Sequence, residues 1–77
     1  MKNMEILIDS INKIKELNKI ALECDRDVDL VSGKYITDAK SLAQIVLLNL
    51  DNKIKIVFES DDDFEKVREK LENIFIN

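Results

Sequence analysis

Apolar and polar residues alternate over "MEILI", residues 4–8, with Met4, Ile6 and Ile8 on one side and Glu5 and Leu7 on the other, which predicts a first strand with one buried face. The period then lengthens. In "SINKIKELNKIALEC" the apolar positions Ile11, Ile14, Leu17, Ala21 and Cys24 recur every three or four residues, while Asn12, Lys15, Glu16, Lys19 and Glu23 fall on the water side. This spacing predicts an amphipathic helix capped by Asp9 or Ser10.

"DVDLVSGKYIT" places Val28 and Leu30 inward, and Ser32-Gly33 offers the positive φ of a tight hairpin turn, so a second and a third strand pair there. "KIKIVFE" alternates again, with Ile54, Ile56 and Phe58 inward, and predicts a fourth strand entered through an Asp51-Asn52 turn. Between them, "TDAKSLAQIVLLNL" contains a short apolar helix, with Leu42, Ile45, Val46 and Leu48 or Asn49 facing the sheet and Ala43, Leu47 and Leu50 around its sides. The last helix opens at "SDDD", where Ser60 caps and three aspartates sit at the positive end of the helix dipole, and it buries Phe64, Val67, Leu71, Ile74 and Phe75. The expected order is β-α-β-β-α-β-α. One-sided alternation in the strands calls for a two-layer α+β domain, an open-faced sandwich of a four-stranded antiparallel sheet covered on one face by three helices.

A chain of 77 residues makes one domain, 1–77, with little sequence to spare for an elaborate active site. Its 45% hydrophobic and 36% charged residues, one glycine and no proline describe a compact chain rather than a disordered one. A net charge of −4, with lysines interspersed among acids, gives no electrostatic basis for binding nucleic acid. The longest apolar run, Ile45 to Leu48, is too short to span a bilayer, and the first residues lack a signal-peptide core. No membrane association and a cytoplasmic location are therefore expected, and the single cysteine fits a reducing compartment. Histidine is absent, which removes the commonest metal ligand and the default general base.

Asp61, Asp62 and Asp63 read as a helix start rather than a cation site, because successive residues on a first turn point in different directions. No metal and no cofactor are expected. Glu5, Glu16 and Glu23 read as solvated surface, and Cys24 as a small core residue on its helix stripe. Ser41 has two readings. Ser41-Leu42-Ala43-Gln44 matches a capping box, in which the serine oxygen takes the N–H three residues on and the glutamine reaches back. The same position, at a helix start, also suits an added phosphate.

The order of elements, the Lys40-Ser41-Leu42 step before a short apolar helix and the final helix beginning in acids together resemble HPr, the small phosphocarrier of the bacterial sugar phosphotransferase system, over residues 4–75. In that family an active-site histidine precedes the first helix, followed two residues later by an arginine and then a proline. The resemblance puts Ser10 at the histidine position, Asn12 at the arginine and Lys13 at the proline, so the phosphocarrier triad is missing. A phosphoserine ester is a much poorer donor than a phosphohistidine and does not replace it.

Ser41 falls on the serine that many Gram-positive HPr proteins present to an ATP-dependent HPr kinase/phosphorylase, whose product partners a transcription regulator of carbon catabolite repression. What the resemblance implies is a divergent, catalytically silent HPr-like regulatory or adaptor protein, not an enzyme, with Ser41 as the phosphorylation position and Lys40, Leu42, Ala43 and Leu47 as the partner surface. The competing reading is a structural protein-interaction domain in which Ser41 is only a helix cap. An exposed apolar helix would also suit a homodimer.

Overall fold

The computed structural model describes residues 2–48 and 53–76. Its elements run β1 (Lys2–Leu7), α1 (Ile11–Leu22), β2 (Val28–Ser32), β3 (Tyr35–Asp38), α2 (Leu42–Ile45), β4 (Lys53–Phe58) and α3 (Asp61–Phe75). The strands form one antiparallel sheet in the order β1-β4-β2-β3. This is the α+β open-faced sandwich that the alternation predicts. The Asp51-Asn52 turn, Asn49 and Leu50 lie outside the described residues.

Register explains why one face is dry. Met4 and Ile56 are partners, as are Leu30 and Ile56, and Val28 and Phe58, so apolar residues from neighbouring strands line up on the side the helices cover. Ile6, Ile8, Val28, Leu30, Ile54, Ile56 and Phe58 are all buried there. From the helix layer come Ile14, Leu17, Ile20 and Ala21 of α1 and Phe64, Val67, Leu71 and Phe75 of α3, completing a single core. Phe58 and Phe64 meet edge to face with ring centroids 5.3 Å apart, which fastens β4 to the start of α3.

The hairpin between β2 and β3 closes on the Ser32–Tyr35 pair. Gly33 sits at φ +59 and no described residue other than glycine has a positive φ, so the positive angle occupies only the first of the two central positions, as in a type II′ turn.

Two expected stripes need correction. Ile11 is 63% exposed and Ile20 is buried instead; the two lie about 90° to either side of the face defined by Ile14, Leu17 and Ala21, so periodicity does not choose between them. The apolar middle helix is a single turn that ends at Ile45, with Val46 as its C-cap. One turn can aim only one side chain squarely at the sheet. Ile45 is fully buried, whereas Leu42 and Val46 are 41% and 48% exposed.

Candidate functional site

Three serines stand at the three helix entries, and their hydroxyls are used differently. Ser10 has extended backbone angles, and its Oγ accepts the Lys13 N–H at 3.2 Å. Ser60 does the same for the Asp63 N–H at 3.2 Å. Each satisfies one of the donors that a first turn leaves unpaired.

Ser10 and Lys13 are positions that the resemblance assigns to phosphotransfer. Ser10, which the resemblance puts at the histidine position, is committed as a cap, and its donor is the N–H of Lys13, a group that a proline there would lack. Asp9 adds an ion pair to Lys13 at 3.2 Å, and Asn12 is exposed. The result is an ordinary helix start.

Ser41 departs from expectation. Its backbone carbonyl accepts the N–H groups of Gln44 and Ile45, both at 3.1 Å, but its hydroxyl makes no cap bond. The expected capping box does not form, because the Gln44 side chain turns outward to the sheet edge, where its Oε1 accepts the Asp38 N–H at 3.3 Å. Asp38 organises the turn instead. Its carboxylate accepts the Lys40 N–H at 2.9 Å and its carbonyl accepts the Ser41 N–H at 3.1 Å, as an aspartate-led turn does.

The turn is pinned from below by α1. Ala39 is fully buried, its carbonyl accepts from Asn18 Nδ2 at 3.1 Å, and its N–H reaches the Val28 carbonyl at 2.9 Å. Lys40, which the resemblance puts on the partner surface, turns inward instead: its Nζ donates to the Cys24 carbonyl at 2.9 Å and the residue is only partly exposed. That places the ammonium one residue beyond the Glu23 C-cap of α1, at the negative end of the helix dipole. Of the remaining patch, Ala43 is exposed, Leu42 is 41% exposed and Leu47 is 84% exposed. Ser41 is therefore a half-buried residue on a hydrogen-bonded turn, beside an apolar shoulder.

An open groove of about 860 Å³ begins at that shoulder and runs to the β2–β3 hairpin, lined by Tyr35, Ile36, Thr37, Gln44, Leu47 and Leu48 among others. Nothing in the sequence pattern marked this groove, since β3 looks like any short strand until its position at the sheet edge is known.

The three aspartates of α3 also separate. Asp61 and Asp62 are exposed, while Asp63 is 5% exposed. Its two oxygens accept the N–H groups of Asp25, at 3.2 Å, and Arg26, at 2.9 Å. The Arg26 N–H holds the Asp63 carboxyl below the usual aspartate value against the opposing effect of burial, with the Asp25 N–H, Lys66 and Lys40 assisting. Helix-dipole reasoning missed this tie, which joins the end of α1 to the start of α3. Cys24 lies beside it, buried, with its Sγ donating to the Ile20 carbonyl at 3.6 Å. Burial, with the Asp63 charge second, pushes the thiol above its ordinary value, the opposite of what a reactive cysteine requires.

No group of three or more histidine, cysteine, aspartate or glutamate side chains among the described residues is arranged to hold a metal ion. No described helix is long and apolar enough to cross a membrane. No protein-family model, curated protein or solved structure matches the chain.

Proposed function

We propose that this chain is an HPr-like regulatory or adaptor protein, not an enzyme, that has no capacity for histidine phosphotransfer and is switched by phosphorylation at Ser41. One observation carries the reading: of the three serines at helix entries, Ser10 and Ser60 spend their hydroxyls on caps and Ser41 does not. A hydroxyl without a cap bond, half-exposed on a turn held by Asp38, Asn18 and Lys40, can be presented to a kinase without unwinding a helix. The β-α-β-β-α-β-α order supports the family expectation, and the capped Ser10 supports the loss of the carrier role. A phosphate on Ser41 adds close to two negative charges next to Leu42 and Ala43, which changes what can dock on that shoulder.

The test is incubation with a bacterial HPr kinase/phosphorylase and ATP, followed by intact mass measurement. One phosphate is expected on the wild type and none on Ser41→Ala. Absence of phosphate under conditions that modify an ordinary HPr would overturn the switch. The exposed Leu42, Val46 and Leu47 favour a second reading, a structural interaction domain that binds its partner regardless of Ser41. Partners unchanged by Ser41→Asp would select it.

A further inference from the structure

The three most exposed large hydrophobic side chains among the described residues are Leu47 at 84%, Tyr35 at 74% and Ile36 at 72%, and all three line the groove along β3. β3 is the edge of the sheet, bonded on one side only. The phase of its pairing with β2 fixes which backbone groups remain. Ala39 N–H donates to the Val28 carbonyl, so alternate pairs, Leu30–Thr37 and Ser32–Tyr35, are the hydrogen-bonded ones. Ile36 and Asp38 then point their N–H groups away from β2. The Asp38 N–H is taken by Gln44 Oε1, whereas the Ile36 N–H has no partner among the described residues. An unpaired apolar edge is a template for another strand.

We propose that the strand completing this edge is β3 of a second copy of the same chain, running antiparallel with Ile36 opposite Ile36. Charge decides both the occupant and the register. In this register Lys34 of each copy, the turn residue that precedes β3, comes beside Asp38 of the other, whose side chain lies on the sheet face that carries Ile36. Neither forms an ion pair among the described residues. One Asp38 oxygen holds the Lys40 N–H and the residue faces Asp29 across the β2–β3 pair, so a cation from the second copy offsets a like charge. The two Ile36 residues exchange their N–H and carbonyl groups across the axis.

A two-fold axis normal to the sheet leaves the helices of both copies on one side. Each Leu47 therefore comes to the seam above the joined strands, and Tyr35 is covered with it. One eight-stranded sheet results, with its exposed apolar edge removed. This proposal stands apart from the Ser41 reading and survives its failure.

Sedimentation of the purified chain from micromolar to millimolar concentration tests it. A monomer–dimer equilibrium is expected, together with slowing of Ile36 amide exchange as concentration rises. Ile36→Lys should raise the dimer dissociation constant by about tenfold or more, the effect of about 1.4 kcal/mol. Lys34→Asp and Asp38→Lys should each be monomeric alone, and an equimolar mixture should dimerise again, because every crossed pair is then complementary. Circular dichroism checks that the variants are folded. A chain that stays monomeric throughout, or a dimer indifferent to both Ile36→Lys and Lys34→Asp, overturns the self-pairing and leaves the edge to a strand of another protein.

Discussion

The carboxylate of Asp63 and the backbone N–H of Arg26 are 2.9 Å apart although 37 positions separate them in the chain. With the Asp25 N–H at 3.2 Å on its other oxygen, this one side chain closes the connection between α1 and β2 against the first turn of α3. Removing the carboxylate leaves two backbone donors without their partner, and that defect costs more than the loss of an exposed acid. Asp63→Ala is expected to lower the denaturant midpoint clearly, and Asp62→Ala, at an exposed neighbouring position, to leave it nearly unchanged. The pH dependence follows in sign. Because the folded value lies below the ordinary 3.8, the stabilisation is fully present above 3.8 and is lost as pH falls through the folded value. Denaturation measured across the acid range should show that loss in the wild type and not in Asp63→Ala.

Asp29 behaves in the opposite sense. Burial first, then Asp27, Asp38 and Glu59, raise its carboxyl above the ordinary 3.8. Its charged form is therefore disfavoured in the fold: the penalty is absent below 3.8 and grows as pH rises through the raised folded value. Asp29→Asn should gain stability at neutral pH, by roughly 0.2–1 kcal/mol for relief of a like-charge pair across strands. That gain should vanish below the aspartate range, which paired melts at neutral and acidic pH will read.

The serines make an ordered series. Ser10→Ala and Ser60→Ala each remove an N-cap bond and should each cost about 1 kcal/mol. Ser41→Ala removes no such bond and should stay within about 0.5 kcal/mol of wild type in the same urea titration. A Ser41→Ala loss equal to the other two would restore the capping box.

The middle turn depends on one anchor. Ile45 is fully buried, so Ile45→Ala leaves a cavity between α2 and the sheet and should cost about 2–5 kcal/mol. Leu47→Ala, truncating a side chain that is 84% exposed, should change the stability of the monomer little. Chemical denaturation of the two variants at low protein concentration separates anchor from shoulder.

Strands and long helices were legible because their signal is periodic. Ile54, Ile56 and Phe58 alternate over a full strand, and Phe64, Val67, Leu71 and Phe75 mark about three turns of one face, so no tertiary knowledge is needed to place them inward. A single helical turn carries too few positions to show a period, and an apolar run there says nothing about which residue is the anchor. Long-range polar ties were invisible for another reason. Asn18, Lys40 and Asp63 look like ordinary surface residues in the chain, and acquire roles only when folding brings them to the backbone of Ala39, Cys24 and Arg26. The Ser41–Gln44 motif was legible but misleading, since a second donor, the Asp38 N–H, competed for the Gln44 side-chain oxygen.

The strand order has a consequence for how the chain is made. β4 is the last strand to be synthesised, yet it lies between β1 and β2. While the polypeptide emerges, the β2–β3 hairpin can zip locally, but β1 has no neighbour until Lys53–Phe58 is available. Ile6 and Ile8 must wait, wet, for more than half the length of the chain. The nascent protein is thus held open through most of its synthesis, and a destabilised β4 would leave two unjoined pieces of sheet rather than one frayed edge.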